Sequence, residues 1–145
     1  MEFKEILSLI RDKRKKHKLS QTEMAEILNI TYPSYNQKEN GNTNFELKEL
    51  LKVFNILDIH FKLTYSILSK DKTSTIQTIE NANEGAIIDV LKLLRKQNKI
   101  TQSEIAKEIN LSKARYLDKE KGRYQFYVLE LLRLFEILNI EFVAY

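Results

Sequence analysis

"QTEMAEILNIT" at residues 21–31 returns as "QSEIAKEINLS" at residues 102–112. Sliding the chain on itself by 81 residues aligns Ile6 with Ile87, Arg14 with Arg95, Gln21 with Gln102, Gly41 with Gly122 and Phe61 with Phe142, and no gap is needed. Between Arg14 and Phe61, 20 of 48 positions are identical, so the phrase belongs to two copies of one supersecondary unit. A chain of 145 residues could by length alone be one domain or two. The repeat divides it into residues 1–69, a polar linker at 70–82 and residues 83–145. Units of roughly 60 residues are marginal when they stand alone, which predicts that one copy buries surface against the other.

Each copy reads first as an amphipathic helix, with Phe3, Ile6, Leu7 and Ile10 in copy one and Ile87, Ile88, Leu91 and Leu94 in copy two. Ser20 with Glu23, and Thr101 with Glu104, then have the spacing of a capping box that opens a second helix. Met24, Ile27 and Leu28, or Ile105 and Ile109, line its apolar side. Ala25 and Ala106 are the small residues that a close helix contact needs. Asn29 and Asn110 tolerate the left-handed conformation of a sharp turn. Thr31 and Ser112 are placed to cap a third helix, which Gly41 and Gly122 end. A fourth helix carries Phe45, Leu47, Leu50, Leu51, Phe54 and Leu57, against Phe126, Val128, Leu131, Leu132, Phe135 and Leu138. Strict alternation follows in "IHFKLTYSIL" at 59–68 and begins again in "IEFVAY" at 140–145, which predicts one strand per copy. A lone strand leaves its hydrogen bonds unmade, so the two are expected to pair with each other or with a second chain's.

A longer helix, a capped short helix, an Asn turn and a second capped helix make a helix-turn-helix arrangement. The stretches "LSQTEMAEILNITYPSYNQKENG" and "ITQSEIAKEINLSKARYLDKEKG" resemble the Cro and repressor type of helix-turn-helix domain found in phage repressors. The trailing strand resembles antitoxins of the same type. The resemblance implies a mainly α fold of two tandem lambda-repressor-like domains, each followed by a strand that pairs into a small sheet. It also implies that the helix opened by Thr31 or Ser112 enters the DNA major groove, while Gln21 and Gln102 hold phosphates. Tyr32, Pro33, Ser34 and Gln37 then face the groove in copy one, and Lys113, Ala114, Arg115 and Asp118 in copy two. Arg115 is suited to guanine and Gln37 to adenine. Lys113, Arg115, Lys119, Lys121 and Arg123 gather around the third helix of copy two, so DNA binding is expected to rest mainly there.

Four residues depart from the family pattern. Lys38 and Lys119 stand where the family buries Ile or Leu, so either their stems snorkel or the helix sits differently. Pro33 disfavours a helical Tyr32 and is expected to start that helix a residue late. Asp118 would face phosphate-rich territory. Tyr35 and Tyr116 read better as core aromatics than as base-stacking groups.

Net charge is +4 and the sequence pI about 9.1, a bias compatible with nucleic acid. "RDKRKKHK" at 11–18 reads either as the solvated end of a helix, where cations suit the dipole, or as a phosphate contact. With no cysteine, disulfides and thiolate sites are excluded and a cytoplasmic protein is permitted. No stretch is apolar enough for a membrane span or a signal peptide. His17 and His60 lack carboxylates at ligand spacing, and no phosphate loop or nucleophile elbow is present, so neither metal, cofactor nor catalysis is expected. The expected function is a sequence-specific, double-stranded-DNA-binding regulator, most simply a repressor that blocks polymerase. The alternative is a protein-binding module on the same scaffold, such as an antitoxin or a phage-encoded inhibitor of a host defence nuclease. The "FYVLELLRLFEIL" helix is apolar nearly all round, with Leu129 and Leu134 as a second apolar side, which predicts a pseudo-dimer within one chain. A homodimer is the other arrangement compatible with the pattern.

Overall fold

Local chemistry sets the helix boundaries. Ser20 Oγ accepts from Glu23 N at 3.0 Å while Ser20 N donates back to Glu23 Oε1 at 3.2 Å, closing the capping box that starts α2 (Gln21–Leu28). The equivalent box in copy two is altered. Thr101 Oγ1 accepts from Glu104 N but also donates to Glu104 Oε1 at 2.9 Å, so that carboxylate takes the hydroxyl as its partner. Asn29 (φ 57°) and Asn110 (φ 59°) both adopt the left-handed conformation that turns the chain. Thr31 caps α3 (Tyr32–Glu39) and Ser112 caps α7 (Lys113–Glu120). Pro33 does not delay α3, contrary to expectation: α3 and α7 begin at equivalent positions, because a proline in the first turn lacks only an N–H that has no intrahelical partner anyway.

The computed structural model describes residues 1–145. Copy one comprises α1 (Phe3–Lys16), α2, α3, α4 (Leu47–Ile56) and β1 (Phe61–Leu68). After β2 (Ser74–Glu80), copy two comprises α5 (Glu84–Gln97), α6 (Gln102–Glu108), α7, α8 (Val128–Ile137) and β3 (Glu141–Ala144). The fold is mainly helical, with two helix-turn-helix repeats and an antiparallel three-stranded sheet in the order β2-β1-β3. Residues 70–82, read from sequence as a linker, contain a strand that pairs with β1 over seven residues. Ile79 is half-buried there, whereas Ile76 is 72% exposed.

The copies are related by a pseudo-two-fold axis that two backbone pairings mark. Lys62 and Val143, equivalent positions of the repeat, lie opposite each other at the centre of the β1–β3 ladder. Glu46 and Tyr127, also equivalent, form an isolated antiparallel bridge in which Leu47 N donates to Phe126 O at 3.0 Å and Val128 N to Phe45 O at 2.9 Å. Side chains repeat the symmetry: Lys48 N donates to Gln125 Oε1 at 3.1 Å, and its counterpart Leu129 N to Asn44 Oδ1 at 3.4 Å. Thirty-five buried residues drawn from both copies form one continuous core. Leu134 is fully buried in it, but Leu129 is 47% exposed, so α8 is not covered on every side as its sequence suggests.

Candidate nucleic-acid interface

The third helix of each copy is anchored by an ion pair beneath it. In copy one the Arg14 guanidinium grips Glu39 with two hydrogen bonds of 2.9 Å, from Nε to Oε2 and from Nη2 to Oε1, and Arg14 Nη1 donates to Leu19 O. In copy two Arg95 holds Glu120 in the same way, at 3.1 and 2.9 Å, and donates to Ile100 O. Glu39 is completely inaccessible and Glu120 nearly so. Burial pushes both carboxyls up. The hydrogen bonds and charge of the arginine, with help from the adjacent tyrosine and glutamine, outweigh it and hold them below the usual carboxylate range. Tyr35 and Tyr116 are core aromatics, as expected. Their hydroxyls are sealed from water without a hydrogen bond of good geometry, and burial, then the neighbouring carboxylate, pushes both phenols far up.

The basic run at 11–18 therefore has a divided role. Arg14 is structural, Arg11 donates to Glu39 O at 3.3 Å, and Lys15, Lys16 and Lys18 are exposed. His17 Nε2 lies 3.0 Å from Leu57 O and links the end of α1 to the end of α4, while His60 lies beside Asn81 and stacks on Tyr145.

Lys38 and Lys119 resolve into a second internal pair. Lys38 Nζ donates to Glu49 Oε1 at 2.9 Å and to Asn44 O at 3.0 Å, and Lys119 Nζ donates to Glu130 Oε1 at 2.6 Å. Glu49 and Glu130 also accept from the backbone N–H of Glu46 and Tyr127 at the start of α4 and α8. The lysine thus ties the third helix to the capped end of the fourth.

Gln21 and Gln102 sit half-buried at the start of α2 and α6. Each donates from Nε2 to the buried carboxylate, Gln21 to Glu39 at 3.2 Å and Gln102 to Glu120 at 3.3 Å. Gln21 is held more firmly, because its Oε1 accepts from Asn36 Nδ2 at 2.8 Å and Asn40 in turn donates to Asn36. Copy two has Leu117 and Lys121 at those places. Sequence reasoning missed this Asn36–Asn40 relay, for which the only signal was two Asn residues four apart on one face of the helix.

The exposed faces of the third helices differ. Copy one presents Tyr32 (48% exposed), Pro33 and Gln37, with Ser34 half-buried and no cation among them. Ile27 of α2, 42% exposed, adds an apolar neighbour in the same helix-turn-helix unit. Copy two presents Lys113, Ala114 and Arg115, followed by Lys121 and Arg123. Asp118 is half-buried and paired with Arg123 at 3.4 Å, which neutralises part of this cluster. Both third helices lead through a positive-φ glycine, Gly41 or Gly122, into the pseudo-axis at Glu46 and Tyr127. Glu46 of copy one accordingly lines a cleft with Arg115, Asp118, Arg123 and Tyr124 of copy two.

The helix-turn-helix family matches this chain twice, over residues 10–63 and 91–144, two windows that stand in the register of the internal repeat. The chain belongs to that family, in its Cro and repressor type, and carries the domain in tandem. No curated protein and no solved structure matches it. Helix-turn-helix domains of this type point to a DNA-binding regulator. No helix is long and apolar enough to cross a membrane.

Proposed function

We propose that the protein is a sequence-specific, double-stranded-DNA-binding transcriptional repressor that acts by occupying its site and needs neither cofactor nor catalysis. The observation that carries this reading is the pseudo-two-fold axis between the two helix-turn-helix units. Proteins of this class bind paired half-sites as symmetric dimers, and one chain here contains both halves of such a dimer. Copy two is the principal reader. Lys113 and Arg115 start its recognition helix, Lys121 and Arg123 follow it, and Gln102 supplies the phosphate contact. Tyr32, Ser34, Gln37 and Gln21 are the corresponding groups of copy one, suited to neutral hydrogen bonding and apolar contact with thymine methyls rather than to charge attraction.

A salt-titrated binding curve on genomic fragments tests the reading. Affinity is expected to fall by about 0.9 log units per log unit of salt for each phosphate contact. Arg115→Ala is expected to relax preference at one base pair at a cost of about 1–3 kcal/mol, whereas Gln102→Ala weakens all fragments alike. Binding without preference among fragments, unchanged by either substitution, rejects DNA reading. The cation-free exposed face of α3, with Tyr32 and Pro33 on it and Ile27 exposed on the neighbouring α2, favours a second reading in that case, a protein partner of the antitoxin or nuclease-inhibitor kind.

A further inference from the structure

We infer that the free edge of β2 is a self-association surface, on which a second copy of this chain adds its own β2 in antiparallel register centred on Ile76. The direction of the free hydrogen-bonding groups follows from the hairpin. Ser69 N donates to Thr73 O and Asn81 N to Phe61 O, so the odd-numbered residues between them, Thr75, Gln77 and Ile79, spend their backbone groups on β1. Ser74, Ile76, Thr78 and Glu80 turn theirs to the open side. Sheets guard such edges with short strands, prolines, inward charges or lysines, because an unguarded edge is a template for another strand. Seven-residue β2, "STIQTIE", has no proline and no lysine, pairs with β1 without a bulge, and carries its one charge at its last residue.

The fold covers the comparable gap elsewhere. Where β3 stops short of the end of β1, the Gln97 side chain takes over, accepting from Leu68 N at 2.9 Å and donating to Ser66 O at 3.1 Å. Nothing equivalent stands along β2. Its outward face also holds the most exposed large apolar residue of the chain, Ile76 at 72%, with Leu68, 51% exposed, diagonal to it on β1.

Three registers pair at least five residues of each strand symmetrically, and they are not equivalent. Centring on Thr78 sets Ile76 opposite the partner copy's Glu80. Centring on Gln77 leaves Glu80 opposite Ser74. Centring on Ile76 stacks the two isoleucines on each other and brings Lys72 of each copy beside Glu80 of the other, which pairs the flanking charges twice. The product is a six-stranded sheet. Two-fold axes within an antiparallel sheet run perpendicular to it, so the helical layers of both chains cover the same face of the joined sheet, with the two pseudo-axes turned relative to each other by the sheet's twist. A strand pair of this size buries less than a standard interface, so the dimer is reversible.

The chain has no cysteine, which makes single-cysteine trapping unambiguous. Ile76→Cys places two thiols in a hydrogen-bonded antiparallel pair, with Cα atoms about 5.5 Å apart and within disulfide reach. Mild oxidation is expected to convert it to a covalent dimer. Ser74→Cys and Thr78→Cys are expected to cross-link poorly alone and readily when mixed, since 74 faces 78 across the dyad. Sedimentation velocity of the unaltered protein, raised to submillimolar concentration, is expected to show a monomer–dimer equilibrium. That equilibrium is lost in Thr78→Pro, whose missing N–H lies on the free edge, and in Ile76→Lys, which serves if the proline variant does not fold. A monomer at every concentration, or Ile76→Cys cross-linking no better than Ser74→Cys alone, overturns the proposal.

Discussion

Replacing Arg95 with Met removes the guanidinium beneath the third helix of copy two and leaves Glu120, 4% exposed, with one hydrogen bond of 3.3 Å from Gln102. Breaking a buried pair by deleting one partner costs about 3–5 kcal/mol, most of it the penalty of the stranded charge. Arg14→Met does the same in copy one, but there Arg11 Nε already stands 3.9 Å from Glu39 Oε1 and can take over part of the charge. Copy two has Lys92 at that place, with no ion pair to Glu120. Arg95→Met is therefore expected at the upper end of the range and Arg14→Met at the lower. Because both copies share one core, a single urea transition should report both, with an unchanged m-value. The double variant Arg95→Met with Glu120→Leu removes both charges and is expected to recover most of the loss. A double variant as unstable as the single one would refute stranded charge as the cause and leave lost packing in its place.

pH gives an independent reading of the same pair. The folded-state pKa values of Glu39 and Glu120 lie below their unfolded values. Their contribution is thus fully present above the ordinary glutamate range and is lost as pH falls through the lowered folded values. In Arg95→Met, burial acts on Glu120 without its counterweight and raises that pKa, so acidification relieves the variant while it destabilises the unaltered protein. The stability gap between them should narrow from neutral pH towards pH 4, about the unperturbed carboxylate value. A gap that stays constant or widens over that interval would contradict the argument.

Gly41→Ala and Gly122→Ala both put a Cβ on a residue with φ near +80°, which costs about 1–2 kcal/mol. The former should cost more, since its Cβ would meet Leu7 Cδ1 at 3.1 Å while that of Gly122 meets nothing, and thermal melts of the two variants compare them. Leu134→Ala, at a fully buried position, should cost about 2–5 kcal/mol in the same assay. If the proposed DNA reading holds, selection from a random pool should return two unlike half-sites about one turn, or 34 Å, apart, because α3 and α7 present different side chains. A perfect palindrome would mean that only one copy of each chain reads bases.

The parts of this fold that were legible in the sequence are those written by local chemistry. Ser20, Thr31 and Ser112 cap the helices they precede, Asn29 and Asn110 turn left-handed, and Gly41 and Gly122 end the third helices, because each of these conformations depends on a few adjacent residues. β2 was not legible, since a strand exposed everywhere except at Ile79 has little reason to alternate, and "STIQTIE" reads as polar loop until β1 is beside it. The partners of Lys38 and Lys119 lie on the next helix, at Glu49 and Glu130, so a one-dimensional pattern shows only an anomalous lysine. A symmetric interface, by contrast, leaves a trace in a duplicated chain. Any contact made on the axis must join a residue to its own copy, as Glu46 meets Tyr127 and Lys62 meets Val143. In a homodimer both members of such a pair are the same residue and like charges must be avoided. Duplication lifts that restriction and lets glutamate face tyrosine and lysine face valine. The same freedom lets copy one present Tyr32 and Pro33 where copy two presents Lys113 and Ala114, so the two third helices can diverge in chemistry while the buried Arg–Glu pair beneath each keeps them in one geometry.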